Sequence, residues 1–122
     1  MSDKQRIKGA GGGHGTGGFI AQRISAVALL FLGPWFIVSL ALAARGGESG
    51  AHAFLTLPLN AGLAAAFVIA ACWHMRIGMR EIIEDYISRA GTRKALDVLN
   101  LLVAALAAIA GLYALAKISF GV

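Results

Sequence analysis

One histidine, His74, lies within an apolar stretch of the sequence, and its neutral imidazole is of a type that readily binds metals. If this stretch is helical, the residues one turn before and after it are Ala70 and Gly78. These small neighbours would let a flat macrocycle such as a haem approach the ring, with the imidazole as a ligand of the iron. A histidine that packs between two helices and hydrogen-bonds across them would have the same neighbours. The spacing leaves both interpretations open.

The chain by itself does not offer a second histidine ligand for such a haem. His14 precedes the first apolar stretch, and His52 follows it. The 22 residues from His52 to His74 correspond to roughly 33 Å along a helix. If His74 is one of two histidine ligands, the other must come from a second polypeptide, either a different protein or a symmetric copy of this chain. The single cysteine, Cys72, excludes an internal disulfide bond and an iron–sulfur cluster held by this chain alone.

Three apolar stretches, at about residues 20–44, 58–88 and 98–118, must position these side chains. Hydrophobic residues make up 58% of the 122 residues and charged residues 14%, whereas soluble domains have about 25% charged residues. A soluble domain of this size cannot bury so much apolar surface, and a disordered chain would need low hydrophobicity. Each stretch has close to the ~20 residues that a helix needs to cross a bilayer. We therefore predict an all-α membrane protein with three transmembrane helices.

The basic residues predict how these helices are oriented in the membrane. Of the 11 Lys and Arg residues, all except Arg45 and Lys117 lie near the start of the first stretch or towards the link between the second and third. Because Lys and Arg accumulate on the cytoplasmic side of a membrane, we expect a cytoplasmic N-terminus and a C-terminus on the other side. The basic residues flank apolar stretches and do not alternate with exposed aromatic residues, so we expect no binding of nucleic acid.

Glycine and proline residues predict the boundaries of the helices. Residues 1–19 are rich in glycine and lack the Lys-Ser/Thr of a phosphate-binding loop. We interpret them as a flexible cytoplasmic segment before a three-helix domain at 20–122. A Gly-Pro pair at 33–34 predicts a kink in the first helix. The second helix begins at Pro58, which suits a first helical turn, and has no breaker until Gly91, which would cap its C-terminus.

The residues from His74 to Tyr86 have the pattern H-x-x-x-G-x-x-x-x-x-x-D-Y, which includes Gly78 and Asp85. The first stretch follows a glycine-rich lead and begins with the motif Q-R-I-S-A at 22–26. With three spans and an inside N-terminus, the chain resembles the small hydrophobic membrane anchor of succinate dehydrogenase, the respiratory complex II. The resemblance covers most of the chain, and its most specific part is the motif on the second helix.

The resemblance implies roles for four residues. His74 matches the axial ligand of haem b, with the second ligand supplied by the companion cytochrome b subunit. Tyr86 matches the tyrosine whose hydroxyl hydrogen-bonds a ubiquinone carbonyl, and Asp85 matches the acid beside it. Arg23 matches an arginine near the haem propionates and the quinone pocket. Arg76 is chiefly a topology determinant, although it is close enough to His74 in sequence to reach a propionate.

The positions of Asp85 and Tyr86 agree with a role at a quinone. They lie 11 and 12 residues after His74, or ~16 and ~18 Å along a helix, which places Tyr86 at the cytoplasmic boundary of the membrane. There a phenol can donate a hydrogen bond to a quinone carbonyl and stabilise the charge that develops during reduction. Without the resemblance, an interfacial aromatic anchor beside a solvated acid would be the better explanation of these two residues.

The resemblance also implies a complex in the bacterial inner membrane. In it a flavoprotein oxidises succinate, an iron–sulfur protein relays the electrons, and the cytochrome b subunit packs with this chain into a helix bundle. This chain alone would have no catalytic activity. Two other functions fit the same residues: an anchor that binds quinone without haem, and a cofactor-free three-span protein of the holin or scaffolding type. Bound haem would distinguish the haem-binding anchor from both of these alternatives. Co-purification with a flavoprotein would exclude the cofactor-free protein.

Overall fold

The computed structural model describes residues 14–121, and almost all of them are helical. Helix α1 comprises His14–Ala43 and leads through a 3-10 turn, Ala44–Gly46, into the short helix α2, Gly47–Thr56. Helix α3 comprises Pro58–Tyr86, and helix α4 comprises Ala90–Phe120. The three helical stretches that contain α1, α3 and α4 are long and apolar enough to cross a membrane. The prediction of an all-α membrane protein with three spans is thereby confirmed.

The first and third spans are longer than predicted. Helix α1 begins at His14, so residues 14–19 are helical, while residues 1–13 of the predicted flexible segment lie outside those described. Helix α4 begins at Ala90, whereas the apolar stretch begins at about residue 98. Its first turns contain Arg93, Lys94 and Asp97, which lower the hydropathy although Lys and Arg are good helix formers. Hydropathy therefore located the membrane-spanning part of α4 and missed its first two turns.

The link between α3 and α4 is shorter than expected, and the predicted role of Gly91 as a cap is wrong. Helix α3 ends at Tyr86, where Ile87 adopts an extended conformation with φ −103° and ψ 109°. Gly91 lies in the first turn of α4. The region between the first two spans also differs, since it contains helix α2. The second span nevertheless begins at Pro58 as predicted.

Helix α3 is the central helix of the protein. It contacts α1 on one side and α4 on the other, whereas α1 and α4 do not touch each other in the part of the chain that the structure describes. Helix α2 packs against all three. Few side chains are buried within this arrangement, namely Ala64, Ile83, Ala104, Ser25 and Asn100. The chain thus forms an open row of helices whose apolar side chains face lipid or another protein.

Aromatic packing joins α1 to α3 about two turns before His74. The rings of Phe36 and Phe67 stack with centroids 5.0 Å apart and planes inclined by 17°. A Cβ atom at Gly33 would lie 3.8 Å from the Phe67 ring, so this glycine leaves the ring room to lie against α1. Pro34 lies inside α1, which continues to Ala43. The kink predicted at residues 33–34 stays a prediction.

Polar contacts join α3 to α4 near their linked ends. The guanidinium of Arg76 lies 3.0 Å from a carboxylate oxygen of Asp97. The side-chain amide of Asn100 donates a hydrogen bond of 2.9 Å to the backbone carbonyl of Arg76. Farther along, a Cβ atom at Gly111 would lie 3.0 Å from Cγ1 of Val68. The two helices are therefore in close contact where one of them has no side chain.

We expect Gly111→Leu to lower the free energy of unfolding by about 1–3 kcal/mol, because overpacking a tight contact displaces side chains and backbone. The measurement is denaturant unfolding in detergent, followed by circular dichroism. Gly62→Leu is the matched control, since a Cβ atom at Gly62 meets nothing within 4 Å. Equal stability of the two variants would show that the contact between Gly111 and Val68 does not limit the approach of α3 and α4.

Candidate functional site

His74 lies near the middle of α3 and faces α1. Its Nδ1 atom is 3.0 Å from the hydroxyl oxygen of Ser25 on α1. Ser25 is only 6% exposed, and its hydroxyl also donates a hydrogen bond of 3.0 Å to the backbone carbonyl of Gln22. Because a buried polar group is costly unless it is hydrogen-bonded, this contact explains how an imidazole is accommodated between two apolar helices. The other ring nitrogen, Nε2, has no hydrogen-bond partner within the described part of the chain.

A second polar side chain of α1, that of Gln22, lies next to Gly78, which follows His74 by one helical turn. A Cβ atom at Gly78 would lie 3.5 Å from Nε2 of Gln22, so the glycine makes room for the amide. The Oε1 atom of Gln22 is buried and has no hydrogen-bond partner among the described residues. Unpaired buried acceptors are rare in native proteins. This one leaves an acceptor open, on the side of the site formed by α1, to a donor from outside the described residues.

The surroundings of His74 fit a ligand of haem iron. Histidines that bind metals through one nitrogen usually donate a hydrogen bond from the other, and His74 has one bonded and one unpartnered nitrogen among the described residues. Ala70, one turn before His74, has a small side chain that leaves space for a macrocycle, whereas the space beside Gly78, one turn after it, is taken by the amide of Gln22. Within residues 14–121, no cluster of three His, Cys, Asp or Glu side chains could hold a metal ion. Any metal bound at His74 would therefore need ligands from outside the described chain.

His52 is not brought near His74. It lies on α2, where its Nδ1 atom is 3.4 Å from the hydroxyl of Thr56 one turn later, whereas His74 contacts Ser25 near the start of α1. The side chain of His14 lies outside the described part. The expectation that a second imidazole comes from another polypeptide stays a prediction.

Tyr86 is the last residue of α3, and it is 80% exposed. It lines an open groove of about 380 Å³ between α3 and α4, whose other walls include Ile83, Leu99 and Val103. Twelve residues after His74 correspond to a rotation of about 120° around the helix. Tyr86 therefore opens towards α4, while His74 faces α1. This chain does not bring the two side chains into one cavity.

Asp85 and Arg23 are both exposed. Asp85, 11 residues after His74, lies within about 20° of the same side of α3. The guanidinium carbon of Arg23 lies 4.9 Å from the centroid of the Phe19 ring, which is the distance of a cation–π contact. Arg23 is two residues before Ser25 and so about 200° around α1 from it. The described chain therefore does not direct Arg23 at His74.

Arg76 makes an ion pair on the side of α3 that faces α4, away from the contact of His74 with Ser25. It forms the ion pair with Asp97, and its side chain is 23% exposed against 34% for Asp97. Arg80 pairs with Glu84 one turn later at 3.1 Å. The ion pair holds Arg76 towards α4 and away from Ser25, so the described chain gives no support to a propionate contact by this arginine.

Sequence reasoning missed Ser25 and Gln22 as members of the site. In the sequence these two residues stand out only as part of the Q-R-I-S-A motif at 22–26. Their spacing of three residues puts them on one face of α1, and two polar side chains on one face of an apolar helix are a signal for a contact with another helix.

Comparisons with known proteins show the family to which this chain belongs. Residues 3–114 match the family model described as succinate dehydrogenase/fumarate reductase transmembrane subunit. The chain is 33% identical over 122 residues to the succinate dehydrogenase hydrophobic membrane anchor subunit of Paracoccus denitrificans, with 99% of this chain and 94% of the relative covered. No solved structure matches it. The resemblance inferred from the motif is confirmed, and the chain belongs to the family of succinate dehydrogenase/fumarate reductase transmembrane subunits.

Proposed function

We propose that this chain is the membrane anchor of a succinate:ubiquinone oxidoreductase. In this role it helps to bind haem b and ubiquinone, and it docks the flavoprotein and iron–sulfur subunits at the membrane. The observation that carries the proposal is His74, held against α1 through Nδ1 with Nε2 unpartnered in the described chain, within a motif that ends in Asp85 and Tyr86. The full-length similarity to an anchor protein supports it.

The open arrangement of the helices supports a partner in the membrane. Since α1 and α4 do not touch in the described part of the chain, the faces of α3 between these two contacts are accessible to another helical protein. The buried Oε1 of Gln22, unpaired among the described residues, calls for a donor from outside. We propose that the cytochrome b subunit packs there, completes a helix bundle and would supply the second histidine ligand of the haem.

The residues of this chain have separate tasks in the proposed complex. His74 would bind the haem iron through Nε2, and Arg23, which lies against Phe19 in the described chain, would meet a propionate only once the partner is present. Haem b, when bound, supplies one-electron redox chemistry. At the groove between α3 and α4, the hydroxyl of Tyr86 donates a hydrogen bond to a quinone carbonyl. Asp85 lies beside this phenol at the polar boundary.

The proposed orientation puts Tyr86 next to the soluble subunits. Basic residues gather around the short link between α3 and α4, where Arg89, Arg93 and Lys94 lie. By the positive-inside tendency, this link and the start of α1 face the cytoplasm of a bacterial cell. A quinone bound at Tyr86 is then on the side from which the electrons arrive.

The family description covers both succinate dehydrogenases and fumarate reductases. Both kinds of complex exchange electrons with a quinone, so the helices alone do not select a direction. The relative from Paracoccus denitrificans is named as part of a succinate dehydrogenase, and this name favours succinate oxidation for the present chain.

Redox difference spectra of membranes with and without this chain test the proposal. We expect a b-type haem signal that is reduced by succinate and lost when the chain is absent. Purification through a tag on this chain should recover a flavoprotein and an iron–sulfur protein. An assembled complex without haem absorbance would leave an anchor for quinone alone. Recovery of the chain without any flavoprotein would contradict the anchor function and favour a holin-like or scaffolding protein.

A further inference from the structure

The contact between Ser25 and His74 places a largely buried hydroxyl against the imidazole. Ser25 is 6% exposed, and its Oγ atom lies 3.0 Å from Nδ1 of His74. In such surroundings a hydrogen bond is electrostatically stronger than in water, and its alternatives are few. The hydroxyl can therefore influence which nitrogen of His74 bears the proton.

The hydroxyl of Ser25 has only one proton to donate. It donates this proton to the backbone carbonyl of Gln22, three residues earlier, at 3.0 Å. The lone pairs of Oγ then remain to accept a hydrogen bond, and the group in reach is Nδ1 of His74. A neutral imidazole that donates from Nδ1 has its free lone pair on Nε2, which is the form that can bind a metal through Nε2.

We propose that Ser25 is a positioning residue for haem binding, which keeps the proton of His74 on Nδ1 and so makes Nε2 the iron ligand. The inference rests on the proposed function, because it needs a haem at His74. It goes beyond that function because it gives α1 of this chain a specific role. Ser25 on α1 would set the tautomer, the orientation and the donor strength of the His74 imidazole.

A hydrogen bond accepted from Nδ1 increases the basicity of a metal-bound imidazole. A more basic ligand stabilises ferric iron relative to ferrous iron and lowers the midpoint potential of the haem. Removing the acceptor should therefore raise this potential. Loss of such an orienting partner also weakens metal binding by about 10–100-fold, so the haem should be lost more readily.

The test compares Ser25→Ala with Ser25→Thr in the complete complex. Thr retains a hydroxyl at the same position, and Ser39→Ala is the control, since Ser39 lies on a similar face of α1 about 21 Å further along. Haem content, the midpoint potential and the electron paramagnetic resonance spectrum of the ferric haem are measured. The spectrum reports the orientation of the axial imidazoles, which a general packing defect far from the haem does not change.

For Ser25→Ala we expect a more positive midpoint potential, an altered ferric spectrum and about tenfold or greater weakening of haem retention. Ser25→Thr and Ser39→Ala should match the wild type.

Wild-type potential and spectrum in Ser25→Ala would overturn the role of Ser25 while leaving haem binding intact. If Ser25→Ala does not assemble, Ser25→Cys, which is close in size but a weak acceptor, must show the shift or the inference fails. A wild-type complex without haem would overturn the proposed function itself.

Discussion

Replacing His74 by alanine is expected to deplete the purified complex of haem b. Residues that merely orient a metal ligand contribute about 10–100-fold in affinity, so loss of the ligand should cost at least as much. Alanine also leaves the hydroxyl of Ser25 without its contact to Nδ1. Haem content per flavin, measured from the pyridine haemochrome spectrum, should therefore fall about tenfold or more.

His52→Ala is the matched control for this substitution. His52 is exposed on α2, and its side chain contacts Thr56 on the same helix. This variant should retain full haem content. Assembly is followed separately, by the amount of flavoprotein that co-purifies, so that failure to assemble is not read as failure to bind haem. An assembled His74→Ala complex with undiminished haem would exclude this residue as a ligand and leave it a packing histidine.

The spans and the importance of His74 could be predicted because both depend on local sequence. Long apolar stretches have few structures open to them in a chain this short, since each backbone polar group must be paired within the membrane. An ionisable residue in such a stretch stands out from composition alone. Pro58 at the start of α3 was likewise predicted correctly, because proline suits a first helical turn.

The partners of His74 could not be predicted in the same way. Whether Ser25 or Arg23 meets the imidazole depends on how α1 is rotated against α3, and hydropathy says little about this angle in a helix that is apolar on nearly every side. The structure turns Ser25 inwards and leaves Arg23 against Phe19. The resemblance implied a place for Arg23 near haem propionates and a quinone, which are groups that this chain does not contain.

Tyr86 shows the same limit at the other end of the motif. Its distance from His74 along α3 was predictable, whereas its setting in a groove formed with Leu99 and Val103 was not. That groove depends on α4, whose first turns are too polar for a hydropathy profile to include them in the span. His74 and Tyr86 therefore lie on different faces of one helix, which is compatible with the proposal of a haem on one side and a quinone on the other.

Tyr86→Phe is expected to lower succinate:ubiquinone reductase activity by about 10²-fold, the lower end of the cost of losing one donor to a developing negative charge. The phenol is 80% exposed, and its hydroxyl has no hydrogen-bond partner within the described chain, so its removal should not disturb packing. Electron transfer from succinate to a soluble dye bypasses the quinone and should keep its wild-type rate. Both rates are measured on the same membranes.

Tyr113→Phe provides the matched control, because Tyr113 is the other tyrosine of the chain and is 68% exposed on α4. It lies far from the groove that ends at Tyr86, and both of its activities should stay at the wild-type level. Because Phe retains the ring, it preserves any anchoring of α3 at the membrane surface. A selective loss of quinone reduction in Tyr86→Phe therefore assigns the effect to the hydroxyl. An equal loss of quinone and dye reduction would assign this residue to assembly. An unchanged rate of quinone reduction would leave it as an interfacial aromatic anchor.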